Sequence, residues 1–220
     1  MTQLLLIRHA HNDWVGERLA GWTPGVHLNE RGRTEAAALA DRLAGYPIDA
    51  VYASPLDRAL ETAAYLAGPR QLSVQQLAGM VEAQVGSWTG QAIKELANDP
   101  LWPGVQWYPS GTRFPDGETL GEVQARAVVA LEDVRRAHPK GVVAVVSHAD
   151  VIKTVIAYYA GTHVDLFQRL VIDTASLSVV HFTPQGPRLL AINDTGRIPL
   201  PPDQESAHPL VAAPPELVTR

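Results

Sequence analysis

The amino-acid sequence predicts a three-layer α/β/α sandwich around a mostly parallel central sheet. Short apolar runs without polar alternation mark strands whose two faces are both covered, as at residues 4–7, Leu-Leu-Leu-Ile. Amphipathic helical segments alternate with these runs, so helices must lie on both faces of the sheet.

The elements follow in chain order. Residues 4–7 form the first strand, stopped by Arg8-His9. Asn29 can cap a helix whose apolar side carries Ala36, Leu39, Ala40 and Leu43. A second strand is expected at 50–53, then a helix over 56–66 with Leu56, Ala59, Leu60, Ala63 and Ala64 on one side and Asp57, Arg58 and Glu61 left on the more polar side. Residues 72–74 make a third strand candidate. From Gln84 to Gly117 the chain is rich in Gly, Pro and Trp and reads as an irregular or partly helical excursion over the sheet. Its aromatics belong either to a local core or to the wall of a substrate pocket.

Thr119 and Glu122 stand at capping-box spacing ahead of the best amphipathic helix, which carries Val123, Ala127, Ala130, Leu131, Val134 and Ala137. Residues 142–146 form the clearest strand, left through Ser147-His148, and a helix follows from about Asp150 to Tyr158 or Tyr159. Two last strands, 176–182 and 188–192, are joined by the turn Pro184-Gln185-Gly186-Pro187 and suit an antiparallel pair at a sheet edge. Residues 1–198 are expected to form one domain, with 199–220 a mobile Pro-rich tail containing six of the 17 prolines.

Composition narrows the function classes. A chain of 220 residues buries roughly 70% of its unfolded surface, enough for a core without metal or disulfide staples. The absence of cysteine excludes disulfides, thiolate zinc sites, cysteine nucleophiles and cysteinyl iron–sulfur ligation. A net charge of −5 without a basic block gives no nucleic-acid surface, and no apolar stretch reaches 18 residues, so no membrane partner is expected. A cytoplasmic address is the corresponding expectation. No isolated apolar stripe demands a partner, so a monomer and a homodimer both stand.

In parallel α/β folds, ligands bind beyond the C-terminal ends of the strands. Three such ends carry chemistry: Arg8-His9, Ser54-Pro55-Leu56-Asp57-Arg58, and Ser147-His148-Ala149-Asp150. Two arginines and two histidines meeting there can hold a phosphoryl group. Guanidinium donates paired, charge-assisted hydrogen bonds, and a neutral imidazole with one free nitrogen can attack phosphorus. Surface ion pairs for Arg8 and Arg58, and a satisfied near-core role for His148, are the bland alternatives.

These residues resemble the signatures of the histidine phosphatase superfamily, also called phosphoglycerate mutase-like. The resemblance lies in Leu6-Ile7-Arg8-His9-Ala10, Gly21-Trp22, Leu28-Asn29-Glu30-Arg31-Gly32, and Ala53-Ser54-Pro55-Leu56-Asp57-Arg58-Ala59 with Glu61-Thr62-Ala63. It continues in Glu82 with Gly86, Trp88 and Gly90, in Pro115-Asp116-Gly117-Glu118-Thr119, and in Val146-Ser147-His148-Ala149. The resemblance implies a phosphoglycerate mutase-like fold and His9 as phosphoryl-accepting nucleophile, with Arg8, Arg58 and His148 completing the phosphate pocket. It implies Glu82 as the acid that protonates the leaving oxygen and then activates water. It places Asn12 and Ala149 against phosphate, and Gly21, Trp22 and Thr23 on a loop that meets substrate.

Ala10 and Ala149 stand where the family usually has glycine, and His11 and Val15 where many members carry Glu and Asn. Lys94 and Arg113 are the only Lys or Arg between Glu82 and Gly117, in a segment short for a mutase. The expected activity is therefore hydrolysis of a small phosphorylated metabolite through a phosphohistidine, with no metal and no organic cofactor. A phosphoglycerate mutase-type phosphotransferase, a metal hydrolase built on the His9-x-His11 pair with His148 and Asp150, and a non-enzymatic phosphate-binding protein are the alternatives.

Overall fold

A computed structural model describes residues 1–196; the expected boundary at 198 and the tail 199–220 lie outside them. Six strands form one sheet in the order β3-β2-β4-β1-β5-β6. They are β1 (Gln3–Arg8), β2 (Ala50–Ala53), β3 (Val74–Gln76), β4 (Val142–Ser147), β5 (Leu177–Thr183) and β6 (Gly186–Asp194). The first four in that order run parallel, and β5 and β6 are antiparallel to their neighbours. The sheet is therefore mostly parallel, with its antiparallel hairpin at one edge.

Alternate residues of the central strands feed two cores. Leu4, Leu6, Val143 and Val145 face α5 (Leu120–Ala137) and α6 (Ala149–Ala160), through Val123, Leu131, Val151 and Val155. Leu5, Ile7, Ala144 and Val146 face α1 (Glu30–Arg42) and α2 (Asp57–Ala67), through Leu39, Leu43, Ala59 and Leu66. Burial on both faces accounts for the unbroken apolar runs of β1 and β4.

The helix ends follow their local chemistry. Asn29 accepts from the Gly32 N–H, and Thr119 with Glu122 forms a complete capping box. The third strand starts later than the sequence suggests. Leu72 N–H closes the end of α2 on Ala67 O, Gln71 takes φ +56°, and pairing with β2 begins at Val74. The segment between Gln84 and Gly117 is partly helical, with α3 (Ile93–Leu96) and α4 (Trp102–Trp107). No helix among the described residues is long and apolar enough to cross a membrane.

Gly32, in the first turn of α1, lies against the backbone of His11. A Cβ there would stand 1.9 Å from the His11 carbonyl oxygen. Gly32→Ala is therefore expected to lower stability by about 1–3 kcal/mol, despite alanine's better helix propensity. Denaturant unfolding checks this, and an unchanged or raised midpoint contradicts the close approach.

Candidate active site

Strand order brings the three chemical segments together. β1 pairs with β4 so that Arg8 lies beside Ser147, and His9 N–H then donates to Ser147 O at 2.8 Å. The next residue of each strand is a histidine, and the His9 and His148 rings lie 5.2 Å apart. On the other side of β4, Ser54 N–H donates to Val146 O, which sets the start of α2 beside the same point. Arg58 enters from the first turn of α2. It is 1% exposed, although its neighbours in sequence suggest a polar helix face. The loop around Gly21 covers it: Arg58 Nη2 donates to Gly21 O at 2.9 Å.

The protonation states follow from the surroundings. His9 Nδ1 lies 2.8 Å from Ala10 O. A carbonyl only accepts, so Nδ1 carries the hydrogen and the Nε2 lone pair is left for other chemistry. Burial, then the charges of Arg8 and Arg58, hold His9 well below the ordinary histidine value. Burial, Arg58 and His9 do the same to His148, so both rings are neutral near pH 7. His148 Nε2 meets Ser54 Oγ at 2.8 Å, and its Nδ1 lies 3.6 Å from Glu82 Oε2.

Glu82 behaves differently from a surface carboxylate. Burial first and Asp150 second raise its pKa to about 7, against the opposing pull of Arg58, the Ala83 N–H and Arg8. Its backbone is fixed by Arg126 from α5, a residue to which nothing in the sequence drew attention. That guanidinium donates to Gly79 O, Val81 O and Glu82 O at 2.7–2.9 Å, and to both oxygens of Glu118. A distant arginine in an amphipathic helix looks like any solvated charge until the chain is folded.

Arg8, His9, Asn12, Gly21, Arg58, Glu82 and Ala149 line one cavity of about 200 Å³. Of these, Arg8 Nε and Arg58 Nε and Nη1 are buried with no hydrogen-bond partner among the described residues, while His148, fully buried, is not part of the lining although its Nδ1 is also unpartnered. Leaving such a donor unmade costs about 1–3 kcal/mol, and buried unpartnered donors sharing one cavity mark a site for an anion. α6 begins here with its first N–H groups uncapped by a side chain, and its helix dipole favours an anion at this end. Asn12 is buried with Oδ1 accepting from Trp14 N–H, so its amide N–H groups remain to donate.

Trp22 and Thr23 stand outside the cavity lining. Trp22 is 45% exposed, and its indole N–H donates to Glu82 O at 2.6 Å, so it supports the carboxyl segment. The two alanines at glycine positions diverge. Ala10 packs its methyl with Leu28 and Ala36, away from the cavity, whereas Ala149 lines it. The excursion's aromatics also divide: Trp88 is core, Trp102 and Phe114 line the cavity, and Trp107 and Tyr108 are exposed. The His9-x-His11 pair does not work as a unit, because the His11 ring meets Asn29 Nδ2 at 3.1 Å. Among the described residues no three His, Cys, Asp or Glu side chains are grouped to hold a metal ion.

A family model described as the histidine phosphatase superfamily (branch 1) matches residues 4–195. The chain is similar to phosphoserine phosphatase 1 of Hydrogenobacter thermophilus, with 32% identity over 199 residues covering 89% of this chain and 93% of the relative. It is 31% identical over 195 residues to a metal-independent phosphoserine phosphatase of Arabidopsis thaliana, covering 84% of this chain and 78% of the relative. Among solved structures, a phosphoserine phosphatase mutant from Entamoeba histolytica in complex with phosphoserine superposes with a TM-score of 0.80. That match has 27% identity and covers 89% of this chain and 98% of the other.

Removing Arg58 takes away one cation and its paired donors. Arg58→Met is expected to weaken inorganic phosphate binding about 10- to 100-fold, read by titration calorimetry. Unchanged affinity contradicts an anion site at these donors.

Proposed function

We propose residue roles for this chain, which belongs to the histidine phosphatase superfamily (branch 1) and is a metal-independent hydrolase of phosphate esters: His9 is the nucleophile and Glu82 the proton carrier. The observation that carries this reading is the meeting, in one cavity, of a neutral histidine with a fixed tautomer, two arginines with buried, unpartnered N–H groups and a carboxyl group titrating near neutrality. The substrate is a small phosphorylated metabolite.

In the first step the His9 Nε2 lone pair forms a bond to phosphorus as the ester P–O bond breaks. The proton on Glu82 passes to the leaving oxygen, so an alcohol departs rather than an alkoxide. Ala10 O, which already accepts from Nδ1–H, stabilises the positive charge that builds on the ring. Arg8, Arg58, His148 and Asn12 hold the phosphoryl oxygens and oppose their negative charge. In the second step the Glu82 carboxylate takes a proton from water, the water oxygen bonds to phosphorus, and the N–P bond breaks. Phosphate leaves, and both Glu82 and His9 return to their starting states.

A pKa of about 7 suits a group that must give a proton in one step and take one in the next. The first step needs protonated Glu82, so kcat/KM for an alkyl phosphate should hold below pH 7 and fall as pH rises above it. Glu82→Gln should remove that alkaline limb and slow alkyl phosphates by about 10²–10⁴-fold. Release of p-nitrophenol from p-nitrophenyl phosphate in a single turnover should suffer far less, since that leaving group needs little protonation. Equal losses for both esters would falsify the proton-carrier role.

Arg126 holds Glu82 by its backbone and touches no reacting atom, so it is a positioning residue. An ammonium cannot span the carbonyls of Gly79, Val81 and Glu82 together. Arg126→Lys should therefore lower kcat on alkyl phosphates by about 10- to 100-fold while KM changes little. Release of p-nitrophenol from p-nitrophenyl phosphate in a single turnover should fall much less, whereas a general folding defect would lower both alike.

A further inference from the structure

Beyond the phosphate-holding residues, the cavity continues into a vestibule of different character. Its walls come from three separate parts of the chain: Val15 and Leu19 from the loop after β1, Ile93, Trp102 and Val105 from the excursion, and Phe167 after α6. Val105 and Phe167 are buried, and the other four are half-buried. Among the described residues, Arg18, Gln106 and Asp150 are the charged or amide side chains on this wall.

Each of those three is engaged by the protein. Arg18 is exposed and donates from Nη1 to Gly90 O at 2.8 Å. Gln106 Oε1 accepts from Gln168 Nε2 at 2.7 Å. Asp150 Oδ1 lies 3.6 Å from Lys153 Nζ. Arg58, which is buried, and Arg8, which is half-buried with its Nε buried, belong to the phosphate end. Arg18 keeps its charge but is exposed to solvent, so a carboxylate on the alcohol half of a substrate would meet mainly apolar surface and Asp150, and would lose hydration without a buried cation in return. An alkyl or aryl body would replace water along the same wall at a gain.

We propose that the alcohol half of the preferred substrate is an apolar body, so that the enzyme favours alkyl- or aryl-bearing monoesters over small esters carrying a carboxylate. This rests on the phosphatase reading above. The vestibule then sets specificity through burial, while the phosphate end supplies binding common to all monoesters.

The test uses the unmodified protein and a series of primary alkyl phosphates, from propyl to hexyl, whose leaving groups are of similar basicity. O-phosphoserine, 3-phosphoglycerate and p-nitrophenyl phosphate complete the panel. The expected result is a rise in kcat/KM of about fourfold per added methylene, with hexyl phosphate turned over more efficiently than either carboxylate-bearing ester. A flat or falling series, or preference for phosphoserine or 3-phosphoglycerate, overturns the proposal while leaving a working phosphatase. Failure to hydrolyse any ester, p-nitrophenyl phosphate included, removes the phosphatase reading and this proposal with it.

Discussion

The site depends on the parallel register of β1 against β4. Pairing Arg8 with Ser147 makes the following residue of each strand a histidine at the same sheet edge, and β2 brings Arg58 alongside through the first turn of α2. A one-residue slip would turn Leu5 and Ile7 toward the wrong helical layer and separate the two rings. The two apolar cores therefore fix the chemistry indirectly: they permit one register, and that register places the charges. Burying the Arg58 guanidinium, part of Arg8 and two imidazoles is unfavourable alone, which is why the helices and strands around them must hold so firmly.

Within that frame, protonation is set by a few backbone groups. The Ala10 carbonyl selects the His9 tautomer, and burial first, then the neighbouring arginines, keep the ring neutral. Glu82 is pushed the other way by burial and Asp150, so one carboxyl near neutrality accompanies two uncharged histidines. In the mechanism proposed above, opposed shifts of this kind separate nucleophile from proton carrier. Arg126, Trp22 and the Ala83 N–H hold the Glu82 segment from three directions.

Much of this was legible before folding. Unbroken apolar runs gave β1 and β4, Asn29 and the Thr119–Glu122 pair gave helix starts, and the rule of strand ends gathered Arg8, His9, Arg58 and His148. What escaped did so for physical reasons. The burial of Arg58, though not its place in the site, escaped because it has the helical spacing of a surface charge and is covered by a loop 37 residues earlier in the chain. Arg126 acts across 44 residues on carbonyls, which have no side-chain signature. The vestibule takes Val15, Ile93 and Phe167 from unrelated segments, and apolar residues look the same whether they face a core or a cavity. Glu82 was recognisable through family resemblance alone, because its titration depends on neighbours that folding assembles.

The claim at the centre is that a backbone carbonyl and a strand register together leave one nitrogen, His9 Nε2, as the group that accepts phosphoryl. The direct measurement is to quench turnover of a ³²P-labelled ester in alkali, where phosphohistidine survives, locate the label by peptide mapping, and identify the phosphorylated nitrogen by ³¹P NMR of the unlabelled counterpart. The label should sit on His9 at Nε2, and should be lost on brief exposure to acid. Label on Nδ1 of that ring, on His148, or on no histidine at all would contradict it.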